Sequence, residues 1–335
     1  MRQRLDPQLV NGGFGDPALY VDFRDERRAV LFDLGDLARL PPRKLLRLTD
    51  VFVTHAHIDH FIGFDHLLRV VLGRKDRLRL YGGPGFIAQV EHKLAAYTWN
   101  VVHRYEVPLR LEVTELAPDR GRHAHFDSRA AFMRAGDAEF VRTDDAVHVE
   151  DAYRVRACFV DHEMPCLAYV LEAATQVAVW KSRLADLGLS TGPWLKAAKR
   201  TLLAGAPPQT AIAVAWHDAA GEHAGTRPLG ELLPALQVVA GKRIGYATDL
   251  RFTEDNLAAL EALLAGVDLL FIESAFLDAE AGHAARKNHL TAKQAGAIAR
   301  RVGAKAVLPF HFSPRYEGRA AELVAEVQAA WADAP

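Results

Sequence analysis

The stretch Thr54-His55-Ala56-His57-Ile58-Asp59-His60 places four metal-capable side chains within six consecutive positions and constrains this chain more than any other segment. Val51-Phe52-Val53 before it is a β-branched and aromatic run that predicts a short buried strand. Phe61, Ile62, Phe64, Leu67 and Leu68 after it fit the apolar face of a helix. The four side chains therefore leave a strand end, where α/β folds tend to place their chemistry. Neutral imidazole suits zinc and other borderline divalent metals, and a carboxylate adds a hard oxygen ligand. His55 and His57 can converge on one ion, while Asp59 and His60 can reach a second. Two ions about 3.5–4 Å apart form a clamp suited to in-line displacement at phosphorus. One surface histidine is usually only a solvated polar group; three with an aspartate behind an apolar strand are not.

At 335 residues the chain can bury a large core, and half of it is hydrophobic, as in ordinary globular proteins. The formal net charge of −1 gives no global pull toward nucleic acid or membrane, so any basic surface must be local. Two cysteines, Cys158 and Cys166, make no disulfide framework and fit a reducing compartment. Met1-Arg2-Gln3-Arg4-Leu5-Asp6 lacks the apolar core of a secretory signal. No apolar run approaches the roughly 18 residues of a membrane span. A cytoplasmic protein with no membrane partner is the expectation.

Along the chain, strands are expected at 18–23, 29–34, 78–81, 153–160, 166–171, 243–248, 268–272 and 306–309. Helices are expected after Thr253, from the Thr291/Gln294 capping box, and over 317–331. Asp33, in Asp33-Leu34-Gly35, reads as turn-forming rather than ligating. Residues 100–150 show no ligand-like grouping beyond His123-x-His125, which reads as a solvated loop. Lys181, Arg183, Lys196, Lys199 and Arg200 flank Gly192-Pro193-Trp194 as a local basic patch. Such cations can track phosphates and an aromatic beside them can stack on a base. A solvated helix face is the competing reading of the same residues.

The H-x-H-x-D-H stretch resembles the signature of the metallo-β-lactamase superfamily, and the longer run Thr54–Asp65 resembles its ribonuclease Z branch. Further segments are similar in order: Tyr81–Gly85, Val160–Tyr169, Leu187–Lys196, Asp249, Glu273, His289-Leu290-Thr291 and Phe310–Tyr316. The chain departs from the family at Thr248-Asp249-Leu250, Glu273-Ser274-Ala275 and His289-Leu290-Thr291, where the family has Gly-Asp-Thr, Glu-Ala-Thr and His-Ser-Thr. The family's basic substrate loop has no counterpart among these segments. The resemblance implies an α/β, four-layer αββα sandwich, one domain over 1–335 with a substrate-binding arm inserted at about 181–205. It implies His55, His57 and His162 on one metal, Asp59, His60 and His311 on the other, and Asp249 bridging. The cofactors would be two divalent ions: zinc, with manganese or iron also compatible. Asp59 would assist the attacking water, His289 protonate the leaving oxygen, and Glu273 orient His289. The implied activity is removal of the 3′ trailer from precursor tRNA, gripped by the arm near Lys181–Arg200, by a homodimer. The same metals would also serve a small phosphodiester, such as a cyclic nucleotide, or an ester or lactone. A non-catalytic RNA-binding module with structural metals is a third reading, although seven ligands suit two open sites better than one closed site.

Overall fold

The structure, a computed structural model, describes residues 5–24 and 26–333; Met1–Arg4, part of the N-terminal segment read above, lie outside them. The chain forms two compact units, one of Leu5–Glu172 with Arg243–Pro335 and one built on Ala173–Lys242.

In the larger unit eight strands run in sequence order across one sheet: β1 (Leu5–Leu9), β2 (Leu19–Phe23), β3 (Arg28–Phe32), β4 (Leu48–Phe52), β5 (Arg77–Gly82), β6 (Arg110–Leu116), β7 (Arg120–Asp127) and β8 (Arg134–Val141). The pairs from β3 to β6 are parallel, and those on either side are antiparallel. Parallel strands need crossover connections, and helices Phe64–Val71 and Phe86–Ala95 supply two of them. Their buried faces, Leu67, Leu68, Val71, Ile87 and Val90, pack with Ala29, Leu31 and Val51 on one face of the sheet.

The chain continues into β9 (Ala146–Val149), β10 (Tyr153–Asp161) and β11 (Pro165–Ala173) and returns after the smaller unit. That unit contains β12 (Gln176–Val179), β13 (Ala211–Asp218), β14 (Gly221–Pro228) and β15 (Leu236–Val239). On its return the chain adds β16 (Arg243–Ala247), β17 (Leu269–Glu273) and β18 (Val307–Phe310). The second sheet has the order β18-β17-β16-β11-β10-β9. Helices Glu254–Leu264, Ala292–Arg301 and Ala320–Ala332 cover its outer face with Leu257, Leu260, Ile298, Leu323 and Val327. The expected capping box is present, Thr291 accepting from the Gln294 amide and Gln294 from that of Thr291.

Between the sheets lies a layer of aromatic rings: Phe32, Phe52 and Tyr81 on the first, Tyr169, Tyr246 and Phe310 on the second, with centroids 4.6–5.7 Å apart. A tyrosine hydroxyl needs a partner when buried. Tyr169 donates to the Val53 carbonyl at 2.7 Å, Tyr246 to Asp33 at 2.9 Å and Tyr153 to Asp50 at 2.5 Å. Each bond runs from the second sheet to the first, so polar contacts set the relative placement of two otherwise apolar faces. The larger unit is thus the expected helix–sheet–sheet–helix sandwich.

Two expectations are corrected. His123 and His125 lie in β7, not in a loop; His123 stacks on Phe140 at 4.4 Å and approaches the Thr114 hydroxyl at 3.0 Å. The strand was illegible because only Ala124 and Phe126 carry its apolar character, and a register shift between His123 and His125 interrupts the alternation. Trp194 is no surface platform for a base: it sits in the smaller unit's core with Leu184, Leu189 and Ala198, its indole N–H donating to the Ser190 carbonyl at 3.1 Å. The exposed aromatic of that unit is Trp180, with the Arg183 guanidinium 4.9 Å above its ring. No helix of the described residues is long and apolar enough to cross a membrane.

The Tyr153–Asp50 contact also holds Arg79, whose guanidinium is 2.6 Å from Asp50. Replacing Tyr153 by Phe removes one hydrogen bond to a buried carboxylate and should cost about 1.5–3 kcal/mol. A urea denaturation midpoint unchanged from the parent protein would contradict this.

Candidate metal centre

The segment leaving β4 is held by one buried carboxylate. Asp33, fully buried just past the end of β3, accepts from the Thr54 amide at 2.7 Å, the Thr54 hydroxyl at 3.0 Å, the Tyr246 hydroxyl at 2.9 Å and His60 Nδ1 at 2.9 Å. A carboxylate oxygen accepts from an imidazole N–H, so His60 carries a proton on Nδ1 and turns Nε2 away from Asp33. The same logic extends outward. The Thr54 hydroxyl has donated to Asp33, so it accepts from His55 Nδ1 at 3.1 Å. His162 Nδ1 donates to the Asn288 carbonyl at 2.9 Å. All three rings are thus held through Nδ1 and turn Nε2 toward one place.

That place is Asp249. Its Oδ2 lies 3.5 Å from His55 Nε2, 3.4 Å from His60 Nε2 and 3.5 Å from His162 Nε2, and its Oδ1 lies 3.0 Å from His311 Nδ1. Ligand atoms of His55, His57, His162 and Asp249 fall within 4.8 Å of one another, as do those of Asp59, His60 and His311. Asp59 stands 3.5 Å from His60 and 3.4 Å from His311. Asp33, Asp249 and His311 adopt left-handed backbone angles (φ 59°, 56° and 59°) just past the ends of β3, β16 and β18. Such turns are costly for non-glycine residues and are characteristic of functional sites. Gly63 lets the two loops close: a Cβ there would lie 2.1 Å from the Gly35 carbonyl.

These residues fit a pair of divalent cations. His55 Nε2, His60 Nε2 and His311 Nδ1 are buried without a hydrogen-bond partner. The bare His55 nitrogen facing the Asp249 oxygen at 3.5 Å is repulsive unless a cation lies between them. Burial takes the pKa of His55 down to about 2, keeping it neutral and ligand-ready. At His60 burial also works downward, but Asp249 and Asp33 outweigh it and push the value up to about 10. The carboxylates thus draw positive charge to this point, as proton or as metal. Burial works to raise Asp249, yet His311 and His60 hold it well below the usual carboxylate range.

A third grouping brings Glu273 and His289 within ligand range of Asp249 and His311. Glu273 is already committed: Oε1 accepts from the Leu250 amide at 2.9 Å and Oε2 from His289 Nδ1 at 2.7 Å. Burial lowers the pKa of His289, but the Glu273 carboxylate outweighs it and the net shift is upward. The pair therefore reads as an oriented imidazole rather than as ligands. The cluster opens into a cavity of about 610 Å³ bordered by Met164, Arg286 and Lys287.

The structure thus brings together His55, His57, Asp59, His60, His162, Asp249, Glu273, His289 and His311. What local reading missed is the reach of Asp33 and Thr54. The Asp-x-Gly turn was visible in the sequence, but its carboxylate's partners lie up to 213 positions away.

Residues 122–312 match the Beta-lactamase superfamily domain. A Deinococcus radiodurans protein named Ribonuclease Z is 34% identical over 308 residues, covering 90% of this chain and 88% of that protein. A Ribonuclease Z of Brevibacillus brevis is 29% identical, covering 86% of this chain and 76% of its own length. Among solved structures, the short form of human tRNase Z superposes with a TM-score of 0.53 at 16% identity, covering 93% of both chains, which is a likeness of fold.

Groups that orient metal-binding imidazoles typically contribute 10–100-fold to metal affinity. Asp33→Asn keeps the shape but can accept from fewer of its four donors, so zinc affinity should fall by about that factor. A competition titration with a chromophoric chelator reads this directly; parental affinity would refute it.

Proposed function

The chain belongs to the ribonuclease Z family of the β-lactamase superfamily, and we propose that it is a dinuclear metal-dependent endoribonuclease that removes the 3′ trailer from precursor tRNA. The observation that carries the reading is the pair of ligand clusters joined through Asp249, with the Glu273–His289 pair beside them. His55, His57 and His162 would hold one cation, Asp59, His60 and His311 the other, with Asp249 shared. The mixed nitrogen and oxygen donors suit zinc, with manganese and iron as competitors. When bound, two such ions supply positive charge to the phosphate oxygens and lower the pKa of an adjacent water.

The chain's own residues supply the rest. Asp59, with its side chain 37% exposed, is placed to take a proton from the attacking water. Glu273 raises the pKa of His289, which favours a proton on Nε2 that it would donate to the departing ribose oxygen while Glu273 holds Nδ1. The smaller unit contributes Lys181, Arg183, Lys196 and Arg200, all exposed, as the arm that tracks the RNA backbone, with Trp180 as its exposed aromatic beneath Arg183. In this reading the sandwich is one catalytic domain and residues 173–242 are its insertion. Cys158 and Cys166 are unpaired thiols, which suits the cytoplasm. Assembly as a homodimer follows the family resemblance and is checked by light scattering.

Metal-loaded protein should cleave a 3′-extended precursor tRNA at the trailer junction, and Asp249→Ala should abolish that cleavage. Hydrolysis of bis(p-nitrophenyl) phosphate with no RNA cleavage would move the substrate to a small phosphodiester; an active Asp249→Ala would sink the dinuclear site. His289→Ala should lower kcat by about 100- to 10,000-fold. RNA binding should weaken steeply as salt rises, and replacing Lys181, Arg183, Lys196 and Arg200 by Ala should flatten that slope. An unaltered slope would remove the arm from the interface.

A further inference from the structure

The turns that carry His162 and His289 meet at Asn288, which borders the cavity over the metal centre. Its amide donates to the Ala285 carbonyl at 3.2 Å, just past helix Ala281–Arg286. Its carbonyl accepts from His162 Nδ1 at 2.9 Å. Its side-chain oxygen accepts from Arg251 Nε at 2.7 Å, and its side-chain nitrogen donates to the Glu163 carboxylate at 2.8 Å. A guanidinium only donates and a carboxylate oxygen here accepts, so the amide fits in one orientation. The residue stands in the left-handed backbone region (φ 61°), which asparagine tolerates better than most side chains. That turn sends the carbonyl to His162 while the next ring, His289, faces the cavity.

Arg251 extends the tie. It lies two positions beyond Asp249, its guanidinium reaches Asp161 at 3.1 Å, and its amide donates to the Asp161 carbonyl at 2.9 Å. Asn256, buried, accepts from the Asp161 amide at 2.8 Å and donates to the Asp161 and Arg251 carbonyls at 3.0 and 2.8 Å. The turns of His162, Asp249 and His289 are thereby linked by hydrogen bonds. We infer that Asn288 is a positioning residue: its carbonyl holds the ring of one candidate metal ligand, and its side chain holds the backbone from which the proton donor His289 extends. Glu273 sets the rotation of the His289 ring, and Asn288 sets where that ring starts. The inference rests on His289 as proton donor in the phosphodiesterase reading, its Nε2 proton passing to the departing oxygen as the P–O bond breaks. A donor displaced by about 1 Å can cost on the order of 100-fold in rate. The loss falls on leaving groups that need a proton.

Asn288→Gly tests this, because glycine keeps the left-handed turn and the carbonyl to His162 but not the side-chain bonds. With diphenyl phosphate, kcat of the zinc-loaded variant should fall about 10- to 100-fold at nearly constant KM. Bis(p-nitrophenyl) phosphate, whose leaving group departs without a proton, should slow by less than about threefold. Zinc affinity, read by chelator competition, should fall by less than the roughly tenfold that follows loss of an orienting partner. Asn288→Asp sets a carboxylate against Glu163 and should show the same selective loss; adding Glu163→Gln, which restores a donor to that carboxylate, should recover most of it. Parental rates on both diesters, equal slowing of both, or zinc affinity falling in step with the rates would overturn the inference. The parent protein keeps the two questions apart. Should it hydrolyse no diester and cleave no precursor tRNA, the phosphodiesterase reading falls. The tie is then read from the His289 Nδ1 proton resonance, identified by its loss in His289→Ala: it should shift or broaden in Asn288→Gly, and an unmoved resonance would refute the tie.

Discussion

A single buried negative charge organises the centre. The Asp33 carboxylate is removed from water, which is costly unless each lone pair is satisfied. Its four donors come from the metal-motif segment (the amide and hydroxyl of Thr54, Nδ1 of His60) and from the second sheet (Tyr246). The charge thereby fixes the tautomer of His60 and, through Thr54, that of His55. It also ties the second sheet to the loop that follows β3. Losing any one donor leaves the others to hold a less satisfied charge, so the group acts as a unit.

Around that anchor, candidate metal ligands arrive from the ends of strands in both sheets. β4 delivers His55, His57, Asp59 and His60; β10, β16 and β18 deliver His162, Asp249 and His311. Strand ends are rigid platforms, and the left-handed turns at Asp249 and His311 aim side chains where an extended backbone would not. The strain of those turns, about 1–3 kcal/mol each, is sustained by the sheets beneath them. Clustered carboxylates and bare imidazole nitrogens would repel one another without a cation, so the same geometry could hold divalent metal.

Much of the centre was legible from sequence because its densest part is local. His55, His57, Asp59 and His60 lie within one turn, and their spacing announces metal chemistry without any tertiary information. His162, Asp249 and His311 were legible only through resemblance, since each is a lone residue at the end of an apolar run. The α/β class followed from alternating strands and helices, the four-layer sandwich from the family resemblance, and the Thr291 cap from its box. Trp194 misled because a tryptophan beside Gly-Pro and lysines looks exposed, yet it fills the core of the smaller unit. β7 was hidden because polar residues occupy most of its positions.

The sequence by itself determined the metal-binding motif, the α/β alternation around it, and the capped helix behind His289, because these depend on residues at most a few positions apart. Tertiary structure alone decided that Asp33 would set the histidine tautomers, that Glu273 would spend its lone pairs on Leu250 and His289 rather than on a metal, and that Asn288 would meet His162 across 126 positions. The physical reason is that hydrogen-bond satisfaction and burial are properties of neighbours in space. Asp33 reads as a turn in the chain and becomes the anchor only when two sheets close over it.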